Sequence, residues 1–246
     1  MIYFTSSWDD GSVYDIKLSE LLLKYNQKAT FFIPLANIEK REVISPEQIA
    51  NLSKDFEIGA HTVNHKYLTT ISNEEAEYEI KQSKKELEFI INKQVQGFCF
   101  PGGKYKPIHM DYVNQAGFQY ARTVNMFKLT NNSRVMNTSL QAYNHSKYTY
   151  FKHLLKRGYF IELFQNSISI LSNNKWDGLL SDILDKQIKN NSRQETITIH
   201  LWGHSWEIQK NNSWNQLERF LIYVNDCQID SKTNFEVSQL NQTITY

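Results

Sequence analysis

The sequence contains little of what disulfide-stapled domains, fibres or membrane spans require. Its two cysteines, Cys99 and Cys227, lie far apart and outside any CxxC pair, which disfavours a disulfide framework and a cysteine zinc site. Only 9 glycines and 4 prolines occur in 246 residues, which excludes collagen-like and low-complexity sequence. No apolar run approaches the roughly 18 residues of a membrane-spanning helix. We therefore predict one globular domain over residues 1–246.

The sequence also lacks an excess of either charge. Lys and Arg number 27 and Asp and Glu 26, so the net charge is +1 and no surface for phosphate backbones is expected. Nucleic acid is therefore not a predicted partner. The N-terminus has no basic stretch followed by an apolar core and a small-residue cleavage site, which predicts a cytoplasmic location.

Short apolar runs alternate with longer amphipathic stretches along most of the chain, as in strands followed by helices. Strands are predicted at 2–5, 29–33, 57–60, 95–100, 118–123 and 195–201. Helices are predicted after the capping residues Ser12, Ser45, Ser72 and Ser213 and over residues 107–116 and 176–189, whereas residues 130–174 carry no clear pattern. The alternation predicts a parallel α/β sheet covered by helices. Chemically active residues at strand ends favour a barrel over an open sheet.

Two adjacent acidic residues follow the first predicted strand, in the segment Ser7-Trp8-Asp9-Asp10-Gly11. Neighbours in an extended chain point in opposite directions, so Asp9 and Asp10 can serve two separate tasks at one strand end. Asp-Asp-Gly is also a common turn in which an Asp accepts backbone hydrogen bonds. The pair alone leaves both interpretations open.

Two histidines, His61 and His65, stand four residues apart directly after another predicted strand. On a helical turn this spacing places both rings on one face, close enough to hold one metal ion. A lone histidine is more often a surface or core residue, but a pair at this spacing favours metal ligands. Because Thr62 follows the first histidine, the pair lacks the base of a His-Glu-x-x-His motif. Asp10, with Asp9 beside it, offers both a third ligand for Zn²⁺ and the base that the histidine pair lacks.

Two later segments also place polar groups at strand ends. Phe100-Pro101-Gly102-Gly103 follows a predicted strand and leaves backbone N–H groups uncovered, and such groups can stabilise an oxyanion. Taken by itself, this segment is an ordinary turn. His200 is predicted to lie within the last strand in a structural role, and His204 just beyond it as a candidate acid or base.

With these pieces together, the chain resembles the polysaccharide deacetylase family, the NodB-homology group of carbohydrate esterases, which includes carbohydrate esterase family 4. The family's Thr-Phe-Asp-Asp-Gly motif is similar to residues 7–11, and its His-Ser/Thr-x-x-His motif is similar to residues 61–65. A proline-aromatic-glycine motif is similar to residues 100–103, and a strand ending in histidine is similar to residues 197–204. Four short motifs in the family's order are specific.

The resemblance implies a distorted (β/α)7 barrel, NodB-like, that hydrolyses an N-acetyl or other small N-acyl group on an amino sugar or glycan precursor. It implies a divalent metal, foremost Zn²⁺, with Co²⁺, Ni²⁺ or Mn²⁺ as alternatives. The implied metal ligands are Asp10, His61 and His65, the base is Asp9, the oxyanion donor is Gly102, the acid is His204, and the substrate contacts are Pro101, Gly103 and Trp206.

The chain departs from the family pattern at two places. The family's third motif often begins with an Arg that orients the catalytic Asp, and the residues before Phe100 include none; Arg122, at the end of the next strand, is the candidate replacement. The Asp-Trp motif that tunes the acid histidine is not visible, and Glu207 is a candidate for that role. A small amide or cyclic-amide hydrolase and an inactive carbohydrate-binding homologue are the alternative functions.

Overall fold

A curled parallel β-sheet forms the centre of the protein, in a computed structural model that describes residues 1–129, 134–190 and 196–240. Within these ranges its strands are β1 (Ile2–Asp9), β2 (Thr30–Ile33), β3 (Glu57–Ala60), β4 (Gly97–Cys99), β5 (Tyr120–Arg122), β6 (Val135–Met136), β7 (Leu140–Gln141), β8 (Ile197–Gly203) and β9 (Asp230–Ser231). All of the pairings between these strands are parallel, so their C-terminal ends meet at one edge.

The sheet closes into a barrel through one extended segment. The strand order is β6-β5-β4-β3-β2-β1-β8-β7, and β9 pairs with the start of β1. Residues 135–141 pair with β5 at their beginning and with β8 at their end, where Leu140 lies opposite Leu201. The Ser139 N–H also donates to the His200 carbonyl. With β6 and β7 counted as one segment, seven strands surround the centre, and the predicted distorted (β/α)7 barrel is confirmed.

Helices cover the outside of this sheet. In the described ranges they are α1 (Asp15–Lys24), α2 (Pro46–Leu52), α3 (Asn73–Ile91), α4 (Pro107–Gln115), α5 (Lys147–Lys156), α6 (Phe160–Ser172), α7 (Trp176–Asn190), α8 (Ser205–Lys210), α9 (Trp214–Asp226) and α10 (Asn234–Leu240). Short 3₁₀ turns span Leu68–Thr70 and Pro101–Gly103. None of the helices described is both long and apolar enough to cross a bilayer.

The predicted capping residues form side-chain caps in two of four places. Ser45 accepts a hydrogen bond from the Gln48 N–H in a capping box, and Ser72 accepts one from the Glu75 N–H, as predicted. The predicted cap at Ser12 is wrong. The Ser12 hydroxyl accepts from the Tyr14 N–H, and α1 begins at Asp15 without a side-chain cap, because Tyr14 and not Ser12 occupies the N-cap position. The predicted cap at Ser213 is also wrong, because α9 begins after it without a side-chain cap.

Two strand boundaries also differ from the prediction. β1 continues to Asp9 instead of ending at Thr5, because polar residues in the barrel interior interrupt the apolar pattern without ending the strand. The last predicted strand, 195–201, is observed as Ile197–Gly203, and its first residue, Glu195, lies outside the described residues. Residues 134–174, which carried no clear pattern, contain β6, β7, α5 and α6.

At the N-terminal end of the strands, a partly buried carboxyl group joins several elements. Glu57, at the start of β3, accepts hydrogen bonds from Thr30 Oγ1 at 2.7 Å, Tyr120 Oη at 2.7 Å and the Phe235 N–H at 2.9 Å. Burial of the carboxyl raises the pKa of Glu57 in spite of these donors. This end of the barrel is therefore stabilised by a carboxyl group with three partners.

Candidate metal and catalytic site

The two acidic residues at the end of β1 face different partners. Asp9, the last residue of the strand, accepts a charge-assisted hydrogen bond from Arg122 Nη2. Asp10 follows with φ of 79°, in the left-handed region that residues other than glycine rarely adopt. Its carboxylate faces His61 and His65. The two carboxylates therefore have separate environments.

Asp10, His61 and His65 form what we call the Asp–His cluster. Asp10 Oδ1 lies 3.0 Å from His65 Nε2 and 3.6 Å from His61 Nε2. One ligand atom from each residue lies within 4.8 Å of the others, and all three residues are buried. Two ligands at about 2.1 Å from a tetrahedral zinc ion stand roughly 3.4 Å apart. The observed separations match that spacing.

The hydrogen bonding of the Asp–His cluster leaves room for an ion. Asp10 Oδ1 is buried and has no hydrogen-bond partner among the described residues, although such groups are nearly always satisfied in folded proteins. His61 Nδ1 is 2.8 Å from the Cys99 carbonyl oxygen, which directs Nε2 of the same ring towards Asp10. The unsatisfied oxygen and the two Nε2 atoms therefore fit a divalent metal.

The protonation preferences of two cluster members also fit metal binding. Burial alone would raise the pKa of Asp10, but the contacts with His61 and His65 lower it below its usual range. Burial lowers the pKa of His65. At His61 the effects of Cys99 and Asp10 outweigh burial and raise the pKa. An ionised Asp10 and a neutral His65 are the forms in which these side chains bind metals.

A buried glutamate supports the turn that carries the two histidines. Thr62 and His65 have φ of 66° and 57°, so this turn is strained. Glu79 of α3, 1% exposed, accepts hydrogen bonds from the Val63 N–H at 2.8 Å and from the Asn64 N–H at 2.9 Å. The sequence analysis did not identify Glu79, because its position on α3 shows only that the residue faces inward.

A second group, Asp9, His61 and Cys99, also has ligand-type atoms close together. It is the weaker metal site for two reasons. Asp9 is already paired with Arg122, and burial raises the pKa of the Cys99 thiol, which keeps it protonated and unsuited to bind metal. The Asp–His cluster contains no thiol, and although Asp10 Oδ2 lies 3.5 Å from Arg41, its Oδ1 remains without a hydrogen-bond partner.

Arg122 reaches Asp9 from the strand next to the one that usually supplies this arginine. Arg122 lies opposite Cys99 in the β4–β5 pairing, so its side chain enters the barrel beside the third motif. It is fully buried, and its guanidinium lies 5.2 Å from the Phe32 ring centre and 5.1 Å from that of Trp202. The structure therefore places the guanidinium where the sequence analysis expected it.

His204 stands on the other side of the acidic pair, at the start of α8. Its Nδ1 is 2.6 Å from Glu207 Oε2, which also accepts from Gln141 Nε2 at 3.0 Å. Gln141 Oε1 in turn lies 2.8 Å from His145 Nε2. Burial alone would lower the pKa of His204, but the hydrogen bond to Glu207 and the nearby carboxylates raise it. We call these four residues the His204 chain.

A cavity of about 330 Å³ connects the Asp–His cluster and His204. It is lined by Asp9, Asp10, Glu39, Arg41, His61, His65, Tyr67, Gly102, Gly103, Val124, Trp202, His204 and Trp206. Of the predicted substrate contacts, Gly103 and Trp206 line this cavity, whereas Pro101 is buried and does not. Gly102 has φ of 60°, and a Cβ there would lie 2.6 Å from the Tyr67 ring, so a glycine is required.

Two further lining residues, Arg41 and Tyr67, were missed by the sequence analysis. The Arg41 guanidinium stacks 4.4 Å from the Trp206 ring centre, and its Nη2 is 3.5 Å from Asp10 Oδ2. Trp206 Nε1 donates to that same oxygen at 2.9 Å. Tyr67 Oη donates to Glu39 Oε1 at 2.9 Å. Arg41 and Tyr67 lie outside the helices and strands, where no periodicity indicates which side chains reach the site.

These features define an α/β barrel with a metal-compatible cluster at the C-terminal ends of its strands. Residues 2–121 match the family model described as polysaccharide deacetylase. This part of the chain, which carries the acidic pair and both cluster histidines, is similar to the polysaccharide deacetylases. The resemblance inferred from the motifs is therefore confirmed.

Known relatives agree with this assignment. A peptidoglycan-N-acetylglucosamine deacetylase of Bacillus cereus is 30% identical over 118 residues, which are 47% of this chain and 50% of that protein. The chain spans about half the length, 50% and 43%, of the curated relatives that it matches.

Solved structures share the fold over nearly the whole chain. A family 4 acetyl xylan esterase from Clostridium thermocellum, in complex with a cobalt ion, has a TM-score of 0.60 at 14% identity and covers 98% of this chain and 91% of its own. A CE4-family pseudoenzyme from Bacillus anthracis has a TM-score of 0.56 at 15% identity, with 97% and 65% covered. At 14% and 15% identity, these similarities show a shared fold and nothing about function.

Proposed function

We propose that this protein is a metal-dependent hydrolase that removes an N-acetyl or other small N-acyl group from an amino sugar or glycan precursor. One observation carries the proposal. The unsatisfied Asp10 Oδ1 and two imidazole Nε2 atoms converge on one point, while Asp9 and His204 line the same cavity. A bound metal, a base and an acid in one cavity together suit the hydrolysis of an amide.

Asp10, His61 and His65 would hold the metal. Two imidazoles and one carboxylate are typical ligands of catalytic zinc, so Zn²⁺ is the proposed ion, with Co²⁺, Ni²⁺ and Mn²⁺ as alternatives. When bound, such an ion lowers the pKa of a water molecule and polarises the acyl carbonyl.

Asp9 would accept the proton of the attacking water. Its carboxylate is held by Arg122, so it is positioned at the edge of the cavity without being a metal ligand. Arg122 is a positioning residue because it acts through Asp9. Its burial between Phe32 and Trp202 limits the motion of the pair.

His204 would protonate the departing amine, since an unprotonated amine anion is a very poor leaving group. The Glu207 hydrogen bond and the nearby carboxylates raise the pKa of His204 and so favour the charged imidazole, the form that this role requires. The N–H of Gly102, on the opposite wall, would donate to the oxygen that gains negative charge.

The sugar would bind in the cavity against its aromatic wall. Trp206 and Trp202 line the cavity beside His204, and flat indole rings pack well against the apolar faces of pyranose rings. Gly103 also lines the cavity, and Pro101 is buried in the same 3₁₀ turn.

The test combines metal analysis with product release. The purified protein is stripped of metal with a chelator, reloaded with Zn²⁺ or Co²⁺, and assayed for acetate release from N-acetylated amino sugars and their oligomers. We expect about one ion per chain and activity only after reloading. His109→Asn, which replaces a buried histidine in α4, is the control and should behave as the wild type.

Two other outcomes would reject the proposal. Turnover of ureides or other cyclic amides with inert N-acetyl sugars would establish a small-molecule amide hydrolase. Absence of bound metal and of activity under all reloading conditions would establish an inactive homologue, as the fold shared with a pseudoenzyme allows.

A further inference from the structure

Helix α6 exposes its most apolar side to solvent. Five large apolar residues are between 57% and 86% exposed: Phe160, Ile161, Phe164, Ile168 and Leu171. At 3.6 residues per turn they occupy one stripe about 100° wide. We call this stripe the α6 face.

The side of α6 that packs on the protein is less apolar than the side that faces water. Its buried residues are Asn166, Ser169 and Ile170. Asn166 Nδ2 donates to the Glu162 carbonyl within the helix, and Ser169 Oγ accepts from Lys186 Nζ at 2.8 Å. This is the reverse of the usual pattern for a helix on the surface of a globular protein. A contiguous apolar patch of this kind marks a surface that binds something.

The neighbouring helix α5 adds positive charge to the hairpin that carries the α6 face. α5 and α6 form a helical hairpin, residues 147–172, whose turn is closed by Gly158 with φ of 68°. The hairpin contains four cations, Lys147, Lys152, Lys156 and Arg157, and one acid, Glu162. Glu162 is already paired with Lys128. In a chain of net charge +1, this hairpin is therefore a local concentration of basic residues.

Further apolar residues on α5 continue the same surface. Tyr148 is 72% exposed and Leu155 54% exposed, and Lys152 Nζ lies 5.9 Å from the Tyr148 ring centre. Lys152, Lys156 and Arg157 form no ion pair with acidic residues in the described ranges. Phe, Leu and Tyr bordered by unpaired Lys and Arg are typical of helices that lie in a membrane interface.

We propose that the α5–α6 hairpin docks this protein on an anionic lipid bilayer. The α6 face would enter the boundary between headgroups and acyl chains, and the cations of α5 would contact the lipid headgroups. The proposal does not depend on the catalytic function, because it uses neither the cavity nor the Asp–His cluster.

Charge decides between a bilayer and a second copy of the chain. A two-fold dimer through the α6 face would bring the cations of one hairpin against the same cations of the other. Like charges facing each other oppose association, whereas an anionic lipid surface attracts each of them. The bilayer is therefore the occupant that the hairpin fits.

The experiment is sedimentation of the full-length protein with vesicles of phosphatidylcholine alone or mixed with phosphatidylglycerol. We expect the wild type to sediment with the anionic vesicles, and less so at high salt. Phe164→Ser combined with Ile168→Ser should reduce the partition coefficient at least roughly tenfold. Lys156→Gln combined with Arg157→Gln should reduce it roughly 5- to 30-fold.

Matched controls carry the same changes elsewhere. Phe89 on α3 is as exposed as Phe164, at 86%, so Phe89→Ser removes an equally accessible ring. Lys85→Gln combined with Lys210→Gln removes two exposed cations from other helices. Both controls should bind vesicles as the wild type does. Phe164→Trp provides a second readout, a blue shift of indole fluorescence on anionic vesicles, which does not depend on the serine variant folding.

Three results would overturn the proposal. The first is wild-type protein that stays in solution with anionic vesicles and shows no fluorescence shift in the Phe164→Trp variant. The second is a loss of binding in the Phe89→Ser control as large as that in the α6 variant. The third is a dimer in sedimentation velocity that Phe164→Ser with Ile168→Ser dissociates, because the α6 face would then bind a second copy.

Discussion

The two ends of the barrel each hold a carboxyl group that is shielded from water, and the two groups differ in their partners. At the N-terminal end, Glu57 accepts three hydrogen bonds from three different elements. At the C-terminal end, Asp10 is 2% exposed and its Oδ1 accepts none. A carboxyl group with complete partners stabilises a fold, whereas an unsatisfied one beside two imidazoles is suited to bind a cation.

A third carboxyl group shows that an unsatisfied oxygen alone does not make a metal ligand. Asp15 is fully buried, and both of its oxygens lack hydrogen-bond partners among the described residues. Burial, helped by the charges of Asp10 and Asp9, raises the pKa of Asp15 to about 8. Asp15 is therefore mostly neutral near pH 7, while the imidazoles keep Asp10 ionised. The neighbouring histidines distinguish the two sites.

The largest effect is expected for His61→Ala at the C-terminal end. Removal of one of three ligands should reduce bound metal from about one ion per chain to nearly none. The activity should fall by more than about a thousandfold, because the metal contributes several kcal/mol to the reaction. The free energy of unfolding without metal should also fall, by about 1–3 kcal/mol, because the buried Cys99 carbonyl loses its hydrogen-bond partner. Metal analysis and urea denaturation check both parts, and a variant that retains stoichiometric metal would remove His61 from the ligand set.

Asp9→Asn should separate chemistry from metal binding. We expect a fall in kcat of about 10²- to 10⁴-fold, the usual range for loss of a general base, with the metal still bound. The neutral side chain keeps its shape but cannot take a proton from water. Steady-state kinetics and metal analysis on the same sample measure the two effects. Near-normal turnover would show that Asp9 is not the base.

Glu57→Ala tests the N-terminal end of the barrel. It leaves the buried Thr30 and Tyr120 hydroxyls and the Phe235 N–H without their acceptor, so we expect a loss of about 3 kcal/mol in the free energy of unfolding. Bound metal and kcat should be unchanged below the melting transition. Glu57→Gln, which keeps one acceptor oxygen, is the milder control. A large change in metal content would contradict the view that the N-terminal end stabilises the fold while the C-terminal end binds metal.

The stability of the Asp15→Asn variant should increase with pH when it is compared with the stability of the wild type at the same pH. In the unfolded chain Asp15 ionises near pH 4, but in the folded protein it does so near pH 8. Between these values unfolding releases a proton, so a rise in pH favours the unfolded wild type, by up to about 1.4 kcal/mol per pH unit. The Asn side chain has no proton to release. Urea denaturation at pH 5, 6 and 7 measures the difference, and parallel curves for the two proteins would contradict it.

The smallest effect is expected for Glu207→Gln. Glu207 also lies at the C-terminal end of the barrel, but its carboxyl group has hydrogen-bond partners. Its hydrogen bond raises the pKa of His204, so the substitution should lower that pKa. The alkaline limb of the kcat profile should then move to lower pH, so that activity is lost first at the alkaline side. Glu207→Asp should restore part of the shift. A profile that only falls in height, without moving, would indicate a structural role.

Most of the residues at the candidate metal site could be predicted from the sequence, because their short-range spacing determines how they are placed. The Asp9-Asp10 pair and the His61–His65 spacing are properties of single turns at strand ends. Arg122 could be proposed only by comparison with the arginine that the family usually has in its third motif. The β4–β5 register explains how an arginine on the next strand reaches the same place, because Arg122 lies opposite Cys99. The contacts of Glu79 and Arg41 depend on how distant elements pack, which no local pattern encodes.

The same reason explains the gap in the fold prediction. β6 and β7 contain two residues each, too few to show alternation. α6 has apolar residues on its outer side, so its pattern does not indicate which side faces the protein. The long helix α3, with a clear apolar side and a serine cap, was predicted correctly.

The seam of the barrel at residues 135–141 has a consequence for motion. Two short pairings hold this segment, whereas β1 and β8 share seven register partners, so amide protons of the seam are expected to exchange with deuterium before those of β1. Gln141, at the end of the seam, also holds Glu207. Each transient opening there would loosen Glu207, the residue that orients His204. Slow local opening of the barrel wall would thus be coupled to the orientation of the imidazole that serves as the acid.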